Sequence, residues 1–567
     1  MSDQQNVVAE DLSETTNSWC CCPKQFPDNL LAGPENSLCY VLFGGGGGNC
    51  FRTAVNSLVY SCKFHLSGGN LFDHTRSMLI HVHAGHFLLL AACLSSAGAE
   101  VLCRAHTRLS LHGRFPLLQI ANYTSYYELG LCQGQAFRSI IRGRAEQSDT
   151  LVRMQAFAET LRGSELLQQM KELHRQLFAD YMQELEGIAD GALLPLDTVF
   201  LLNLRTEFPQ LQQPTEPQDS SIASEVNAGP HFLQTQQAAT QGQGGELWAK
   251  EGLVLELEEE GCSDVLVHFG KGHHSMNSIA RGTLWMGGPN GRWGEQDETQ
   301  QEEEPWPLIA HNEDVGSDAV GRLYFVRAEQ QRHTWLALCY AGELASTAFA
   351  ASKEPGIAFT LNALYPSPEA LKLPGVGRNF ISRKLIDAPT FEGGIDVLRS
   401  LAQATGRSLN VLQTSPLRAG QRRKLLNIET APGIGSSSIV EIQPASWLFH
   451  ANAYQRLPVP EQPGQSSPHR EKVAAQYGDS PLKDGPKEAL WILGDTSDAT
   501  WPIYRDGTSP VDSGFTECTI LIMAPPSHGG QRHDSKGRRI TATVFDGNPR
   551  LGNSVVSFDL SETLMPI

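Results

Sequence analysis

The stretch EGCSDVLVHF, residues 260–269, places a Gly-Cys pair between an acidic run and an apolar, β-branched segment. That segment predicts a buried strand with Cys262 at its start. If the Gly261–Cys262 bond were cut, Cys262 would carry both a thiol nucleophile and a free α-amine. Simple α-amines have a pKa of about 7.7–8.0, so this amine could act as a general base near neutral pH. The alternative is a small apolar cysteine that only packs in the core.

Composition limits the class of protein. The chain has 567 residues, of which 40% are hydrophobic and 19% charged, and this is a globular composition with material for one large or two ordinary domains. The formal net charge of −18 argues against a nucleic-acid partner. No stretch reaches the roughly 18 uninterrupted apolar residues that a membrane-spanning helix needs, so we expect no membrane segment.

The cysteines lie mostly near the N-terminus, with nine of the twelve before residue 133. A secreted disulfide scaffold would spread them through the fold, so the main body predicts a reduced, cytoplasmic protein. The segment that follows Met78 has the outline of a signal peptide, so a secretory route stays open if translation starts there. The CCC run at 20–22 lacks the paired spacing of a zinc site. We therefore expect no metal and no cofactor.

Composition also suggests where the parts of the chain begin and end. Residues 1–115 hold a five-glycine run and no sustained period, which predicts a poorly ordered or atypical N-terminal extension. If the chain is cut at Gly261–Cys262, the rest divides into 116–261 and 262–567, which we expect to be two parts of one domain. Residues 209–250 are rich in Gln, Pro, Ser and Gly and predict a flexible linker. A second, acidic insertion covers 287–305.

Periodicity predicts the secondary structure. Two amphipathic helices, 148–161 and 164–191, are expected to join at Gly163, with Ser148 as an N-cap. After residue 305, short β-branched or aromatic runs bounded by turn residues predict many strands. Helical patterns interrupt them at 377–388 and 391–406. Strands and helices that are grouped, not strictly alternating, favour an α+β fold in which helices cover antiparallel sheets.

Several segments, in order, resemble the isopenicillin-N acyltransferase-like family of N-terminal-nucleophile (Ntn) hydrolases. No single segment is specific, but their order along the chain is. The resemblance extends over about residues 120–560. The segments are YYELGLCQGQAFRSIIRGR (126–144), YMQELEGIADGA (181–192), LLNLRTEF (201–208), EGCSDVLV (260–267), LIAHNEDV (308–315), AGELASTAFAASKEPGIAFTLNALYP (341–366), GVGRNFISRKLI (375–386), LLNIETAP (425–432) and FHANAY (449–454).

This resemblance implies a fold and a set of site residues. The fold is the αββα sandwich, with two antiparallel sheets between helical layers. The family matures by cutting itself before a cysteine, which corresponds here to the bond between Gly261 and Cys262. Cys262 would then be the nucleophile. Asp314 matches the family's catalytic aspartate, and Asn452 matches the asparagine assigned to the oxyanion hole.

The family's usual Thr-Ser or Thr-Thr after the cysteine is replaced here by Ser263-Asp264, so the substrate side of the pocket is expected to differ. Strand alternation puts residues 262 and 264 on one face, so we predict that Asp264 recognises an amine on the acyl group, as in a β-alanyl amide. Asn362 is a further candidate for substrate binding. The expected partners are a small-molecule amide and the two associated chains of the cut precursor. Two alternatives remain, an acyl-CoA-dependent N-acyltransferase and an uncleaved Ntn-fold scaffold.

Overall fold

The computed structural model describes residues 101–208, 261–271 and 304–567, apart from positions 332, 346, 419–420, 462–465 and 527–538. These residues lie in one compact unit, Val101–Ile567. The segment that follows Met78, the linker 209–250 and nearly all of the acidic insertion 287–305 lie outside the described residues. The domain limits proposed for them remain predictions.

The described strands are β1 (His106–His112), β2 (Phe115–Ala121), β3 (Ser263–His268), β4 (Pro307–Val315), β5 (Leu323–Gln330), β6 (His333–Tyr340), β7 (Phe349–Ser352), β8 (Ile357–Leu364), β9 (Gly406–Gln413), β10 (Leu425–Thr430), β11 (Ser437–Glu441), β12 (Ser446–His450), β13 (Phe515–Met523), β14 (Thr541–Phe545) and β15 (Ser554–Asp559). The described helices are α1 (Tyr126–Ala136), α2 (Arg138–Gln147), α3 (Asp149–Ala158), α4 (Leu161–Leu177), α5 (Ala179–Ala192), α6 (Leu196–Leu202), α7 (Arg378–Ile386), α8 (Phe391–Ser400), α9 (Ser466–Ala475), α10 (Ser480–Asp484) and α11 (Pro486–Leu493). One 3₁₀ turn covers Pro549–Leu551.

The strands form two sheets. The larger sheet has nine strands in the order β1-β2-β5-β6-β7-β8-β9-β10-β11, and the smaller has six in the order β12-β3-β4-β13-β14-β15. Neighbouring strands are antiparallel throughout except for β2 and β5, which run parallel. Strands β3 and β4 are central in the smaller sheet, and every residue of both is buried.

Three apolar cores separate four layers. The first core packs α1–α8 against the larger sheet, with Leu185 and Val326 among its members. The second lies between the two sheets and contains Phe325 and Ile520. The third packs the smaller sheet against α9–α11, with Leu490 inside it. Because neighbouring strand residues point to opposite faces, Phe325 and Val326 serve different cores. The predicted αββα sandwich is confirmed.

The helix boundaries differ from the sequence prediction. Ser148 does cap a helix, since its hydroxyl accepts a hydrogen bond from the backbone N–H of Leu151 at 3.2 Å. The predicted helix 164–191, however, is two helices that meet at Phe178, whose backbone leaves the helical region with φ −141° and ψ 51°. Gly163 lies inside α4 and does not join two helices. The apolar stripe runs through Phe178 without interruption, and so the sequence shows no break there.

The described domain also includes residues before position 116, the N-terminal limit predicted from the sequence. Strands β1 and β2 form an antiparallel hairpin in which His112 pairs with Phe115, so a boundary at residue 116 would cut it. Just before the hairpin, Cys103 is joined by a disulfide to Cys132 in α1. This pair departs from the prediction of a fully reduced main body. Among the described cysteines, the remaining three carry no disulfide.

No helix in the described ranges has the length and apolar character needed to cross a membrane.

Candidate active site

Strands β3 and β4 bring the candidate residues together. The two strands are antiparallel, and Asp264 lies directly opposite His311. Leu266 and Ile309, two residues along their strands, pack in the core between the sheets. Because side chains alternate along a strand, Asp264 and His311 face the larger sheet as well. The site therefore lies between the two sheets, at one end of the central strands.

The Cys262 thiol lies at this end and is only 6% exposed. Its Sγ donates a hydrogen bond to Glu313 Oε1 at 3.9 Å, and the Tyr340 hydroxyl donates to the same carboxylate oxygen. Burial raises the pKa of the thiol well above its usual range, and the charges of Glu313 and Asp314 raise the pKa further. The backbone N–H of Asp314 acts in the opposite direction. In the uncut chain these surroundings hold Cys262 as a neutral thiol.

His311 connects two carboxylates. Its Nδ1 lies 2.8 Å from Asp264 Oδ1, and its Nε2 lies 2.9 Å from Glu313 Oε2. Burial alone would lower the pKa of the imidazole, but the Asp264 charge and the hydrogen bonds to both carboxylates raise it to about 10. The ring is therefore an imidazolium at neutral pH. Thr360, from β8 of the larger sheet, also donates to Asp264 Oδ1 at 3.2 Å.

The predicted catalytic aspartate, Asp314, belongs to the other face of β4. Its carboxylate accepts a hydrogen bond from the Thr516 hydroxyl at 2.6 Å and lies 3.6 Å from an Arg505 nitrogen. Burial raises the pKa of Asp314 to about 7 against the opposing charges of Arg505 and Arg470. Asp314 is connected to Gly261 through Arg505, which pairs with the carboxylate and donates to Gly261 O. Glu313 is the carboxylate that the thiol contacts directly.

The carbonyl group of the bond predicted to be cut is held by Arg505. The Arg505 Nη1 donates to Gly261 O at 3.2 Å, and the guanidinium also pairs with Asp512 at 2.8 Å. A β-carbon built on residue 261 would lie 2.2 Å from Arg505 Nη1, so only glycine fits without moving the guanidinium. The arrangement suits polarisation of the Gly261 carbonyl, where negative charge would develop during attack by the thiol.

A second buried arginine holds the carbonyl group of the next peptide, Cys262–Ser263. Arg470 donates to Cys262 O at 2.6 Å, to Ser263 Oγ at 2.9 Å and to Asn452 Oδ1 at 2.9 Å. Burial and the nearby Arg505 charge lower the pKa of Arg470 to about 10, so it stays cationic at neutral pH. Arg470 therefore ties Asn452 to the residue that would become the new N-terminus.

The two asparagines named from the sequence lie at this end of the fold, where β8 meets the residues after β12. Asn452 Nδ2 donates to Ala363 O at 2.9 Å, and Asn362 Nδ2 donates to Ala451 O at 3.1 Å. In the uncut chain both amide groups thus join the two sheets. Asn362 Oδ1 is buried and accepts no hydrogen bond from the described residues. It leaves a buried polar acceptor at this end of the fold.

Four residues of this arrangement were not identified from the sequence: His311, Glu313, Arg470 and Arg505. The first two lie in the same segment as Asp314, and the strand pattern could have shown that residues 311 and 313 share a face. Arg470 and Arg505 belong to segments with no distinguishing composition. The sequence analysis expected no metal, but one ligand atom each from Cys262, His311 and Glu313 lies within 4.8 Å of the other two.

The chain is similar to known proteins over much of its length. Residues 299–525 match the family model described as acyl-coenzyme A:6-aminopenicillanic acid acyl-transferase, a stretch that includes Asp314, Asn452 and Arg505 but not Cys262. The chain is also similar to the beta-alanyl-dopamine/carcinine hydrolase of Drosophila melanogaster, with 21% identity over 406 residues that cover 68% of this chain and 84% of the relative. The resemblance inferred from the sequence is thus confirmed, and both comparisons favour an acyltransferase or an amide hydrolase.

Proposed function

We propose that this protein is a self-processing cysteine hydrolase that cuts its own Gly261–Cys262 bond and then releases a small acyl group from an amide. The observation that carries the proposal is the contact between Arg505 Nη1 and Gly261 O at 3.2 Å, next to a cysteine buried at the start of a central strand. A guanidinium that donates to a backbone carbonyl oxygen draws electron density away from the carbonyl carbon. The contact therefore supports a role for Arg505 in polarising the Gly261 carbonyl group.

The self-cleavage step is an attack by Cys262 Sγ on the Gly261 carbonyl carbon. A carbon–sulfur bond forms, the carbon–nitrogen bond of the peptide breaks, and the thiol proton passes to the departing nitrogen. Water then hydrolyses the thioester, which leaves a carboxylate on Gly261 and both a thiol and an α-amine on Cys262. Arg505 would stabilise the oxyanion, and Arg470 would hold Cys262 O in place.

Intact-mass spectrometry of the purified protein tests this proposal. Wild type should appear as two chains whose masses correspond to cleavage between Gly261 and Cys262, and Cys262→Ala should stay whole. A wild-type chain that remains uncut would favour the alternative of an uncleaved scaffold. Cleavage of Cys262→Ala at the same bond would mean that another protease cuts the chain.

In the cut enzyme, the α-amine of Cys262 would take the thiol proton and return it to the leaving amine of the substrate. Asn452 would donate to the oxyanion once its amide is released from Ala363 O. We further propose an acyl group that bears an amine, of the β-alanyl type, because Asp264 Oδ2 is buried without a hydrogen-bond partner among the described residues. The same group appears in the name of the fly relative.

Acyl transfer from a thioester such as acyl-CoA to an amine is the second candidate, and the name of the matched family favours it. Both reactions pass through the same acyl-enzyme on Cys262 and differ only in the acceptor. The measurement is therefore the partition of the acyl group between water and an added amine. Hydrolysis predicts mainly free acid at every amine concentration, whereas an acyltransferase predicts that the new amide dominates as the amine is raised.

A further inference from the structure

Between the sheets, a thiol, an imidazole and a carboxylate converge on a single point. The atoms are Cys262 Sγ, His311 Nε2 and a Glu313 carboxylate oxygen, and all lie within 4.8 Å of one another. The three residues are buried. We propose that these side chains form a binding site for a divalent transition-metal ion of the Zn²⁺ class. The site goes beyond the proposed hydrolytic function, and metal binding itself does not depend on that function.

The distances suit a tetrahedral metal. With metal–ligand bonds of about 2.0–2.3 Å, ligand atoms in such a site stand about 3.3–3.8 Å apart. His311 Nε2 and Glu313 Oε2 are 2.9 Å apart, and Cys262 Sγ and Glu313 Oε1 are 3.9 Å apart. Small side-chain shifts bring both separations into range. Cysteine, histidine and glutamate are all common zinc ligands, and three of them leave a fourth position open.

The groups around the ligands are those that a metal site needs. Asp264 holds His311 Nδ1 at 2.8 Å, which leaves Nε2 facing Glu313 and raises its basicity as a ligand. The Tyr340 hydroxyl donates to Glu313 and fixes that carboxylate. Two carboxylates lie against one imidazole, at 2.8 and 2.9 Å, beside the thiol, so the cluster offers several donor groups to a cation. Binding of a divalent ion would displace the thiol proton and any proton on His311 Nε2.

The functional consequence rests on the proposed hydrolase. A thiolate coordinated to a metal donates electron density to the ion and is a weaker nucleophile toward a carbonyl carbon. Occupancy of this site would therefore switch off Cys262 reversibly. Zinc would inhibit turnover, and a chelator would restore it.

Cobalt is a suitable probe, because Co²⁺ bound to a thiolate gives a charge-transfer absorption band in the near ultraviolet. Other cysteines and histidines of the chain also bind cobalt, so the measurement compares full-length variants. Wild type should show a band that is absent from Cys262→Ala and from His311→Gln. Cys339→Ala, a buried thiol in the core beneath the helices, should keep the band. Asp264→Asn should weaken metal binding about 10–100-fold, as is usual when the hydrogen-bond partner of a metal-binding histidine is lost.

Zinc competition against a chromophoric chelator gives the affinities. Equal cobalt spectra and equal zinc affinities for wild type and Cys262→Ala would overturn the metal site. A Cys262-dependent band supports the site whether or not the chain cuts itself. If the proposed function is wrong, the wild-type chain stays uncut in metal-free buffer. This outcome is separate from the cobalt and zinc measurements.

Discussion

The guanidinium of Arg505 occupies the space in which residue 261 would carry a β-carbon. An ideal Cβ at Gly261 would lie 2.2 Å from Nη1 and 2.9 Å from the central guanidinium carbon of Arg505. Arg505 cannot simply retreat, because it is buried and paired with both Asp314 and Asp512. Glycine at this position is therefore a requirement of the contact with the carbonyl group and not only of chain flexibility.

Gly261→Ala should slow self-cleavage, because the new methyl group displaces the guanidinium from the carbonyl oxygen. We expect a loss of about 10²–10³-fold, the usual effect of removing one oxyanion donor. The measurement is the fraction of cut chain over time by mass spectrometry. Gly143→Ala is the matched control, since a Cβ there would lie 3.6 Å from its nearest neighbour. Equal cleavage rates for the two variants would contradict the role of the close contact.

Arg505→Lys should keep the positive charge beside Asp314 but lose the geometry of the guanidinium. Self-cleavage should fall by about 10²–10³-fold while the fold is retained. Arg383→Lys serves as a control, because Arg383 of α7 is equally buried and pairs with Glu184 at 3.1 Å and with Asp387 at 2.7 Å. Circular dichroism of both variants checks the folding. Full-rate cleavage by a folded Arg505→Lys chain would argue against the assignment.

Asn452→Ala separates self-cleavage from turnover. In the uncut chain the Asn452 amide donates to Ala363 O, and so its loss should change cleavage little. In the cut enzyme, the loss of this oxyanion donor should lower kcat by about 10²–10³-fold. Asn203→Ala removes a similarly buried amide that donates to Val199 O, and it should leave both rates unaltered. A fall in kcat of less than about threefold would mean that another group binds the oxyanion.

Asp264→Asn tests recognition of the acyl group. Wild type should hydrolyse a β-alanyl amide faster than the propionyl amide of the same amine, because only the former offers an ammonium to Asp264. The variant should lose this preference, chiefly through the β-alanyl substrate. The comparison is the ratio of the two kcat/KM values. No preference in wild type would show that the recognition idea is wrong, whatever the variant does.

A histidine far from the site should make stability depend on pH. Gly377 N–H donates to His174 Nε2 at 2.9 Å, while His174 Nδ1 lies 2.7 Å from Met170 O, so the ring is a neutral tautomer. Burial lowers the pKa of His174 from 6.5 to about 4, and the hydrogen bond to Met170 only partly opposes this. The unfolded chain then binds the proton more readily. The contribution of neutral His174 to the free energy of unfolding is complete above pH 6.5 and is lost as the pH falls toward 4.

Chemical denaturation between pH 4 and pH 7 measures this effect. The lowered pKa of His174 corresponds to at most about 3 kcal/mol of unfolding free energy in wild type. His174→Gln should be less stable at pH 7 and should lack this part of the pH dependence. His469→Gln changes a histidine whose side chain is 47% exposed and should leave the profile as it is. Parallel pH profiles for wild type and His174→Gln would contradict the prediction.

The sequence predicted much of the architecture because buried strands such as β6 and β8 consist largely of apolar, aromatic or β-branched residues. It did not predict the break at Phe178, where neither glycine nor proline interrupts a continuous apolar stripe. That break coincides with a tertiary contact, in which Phe178 packs against Phe380 of α7 with ring centroids 5.7 Å apart.

The site was only partly predictable for a related reason. Cys262, Asp314 and Asn452 lie in segments with a recognisable pattern. Whether Asp314 or Glu313 shares a face with Cys262, however, depends on the register between β3 and β4, which no single segment records. Arg505, which donates to Gly261 O, and Arg470, which donates to Cys262 O, come from positions more than 200 residues further along the chain. Only the folded sheet brings these positions together.

The parallel pairing of β2 with β5 joins parts of the chain on opposite sides of Gly261. In the uncut precursor this pairing forms within one molecule, so folding is a first-order process. After cleavage the same pairing would connect two separate polypeptides. Reassembly would then require an encounter, whose loss of translational and rotational freedom costs about 4–15 kcal/mol. The midpoint of unfolding would become dependent on protein concentration, and maturation would convert a reversibly folding monomer into a heterodimer that recovers poorly after denaturation.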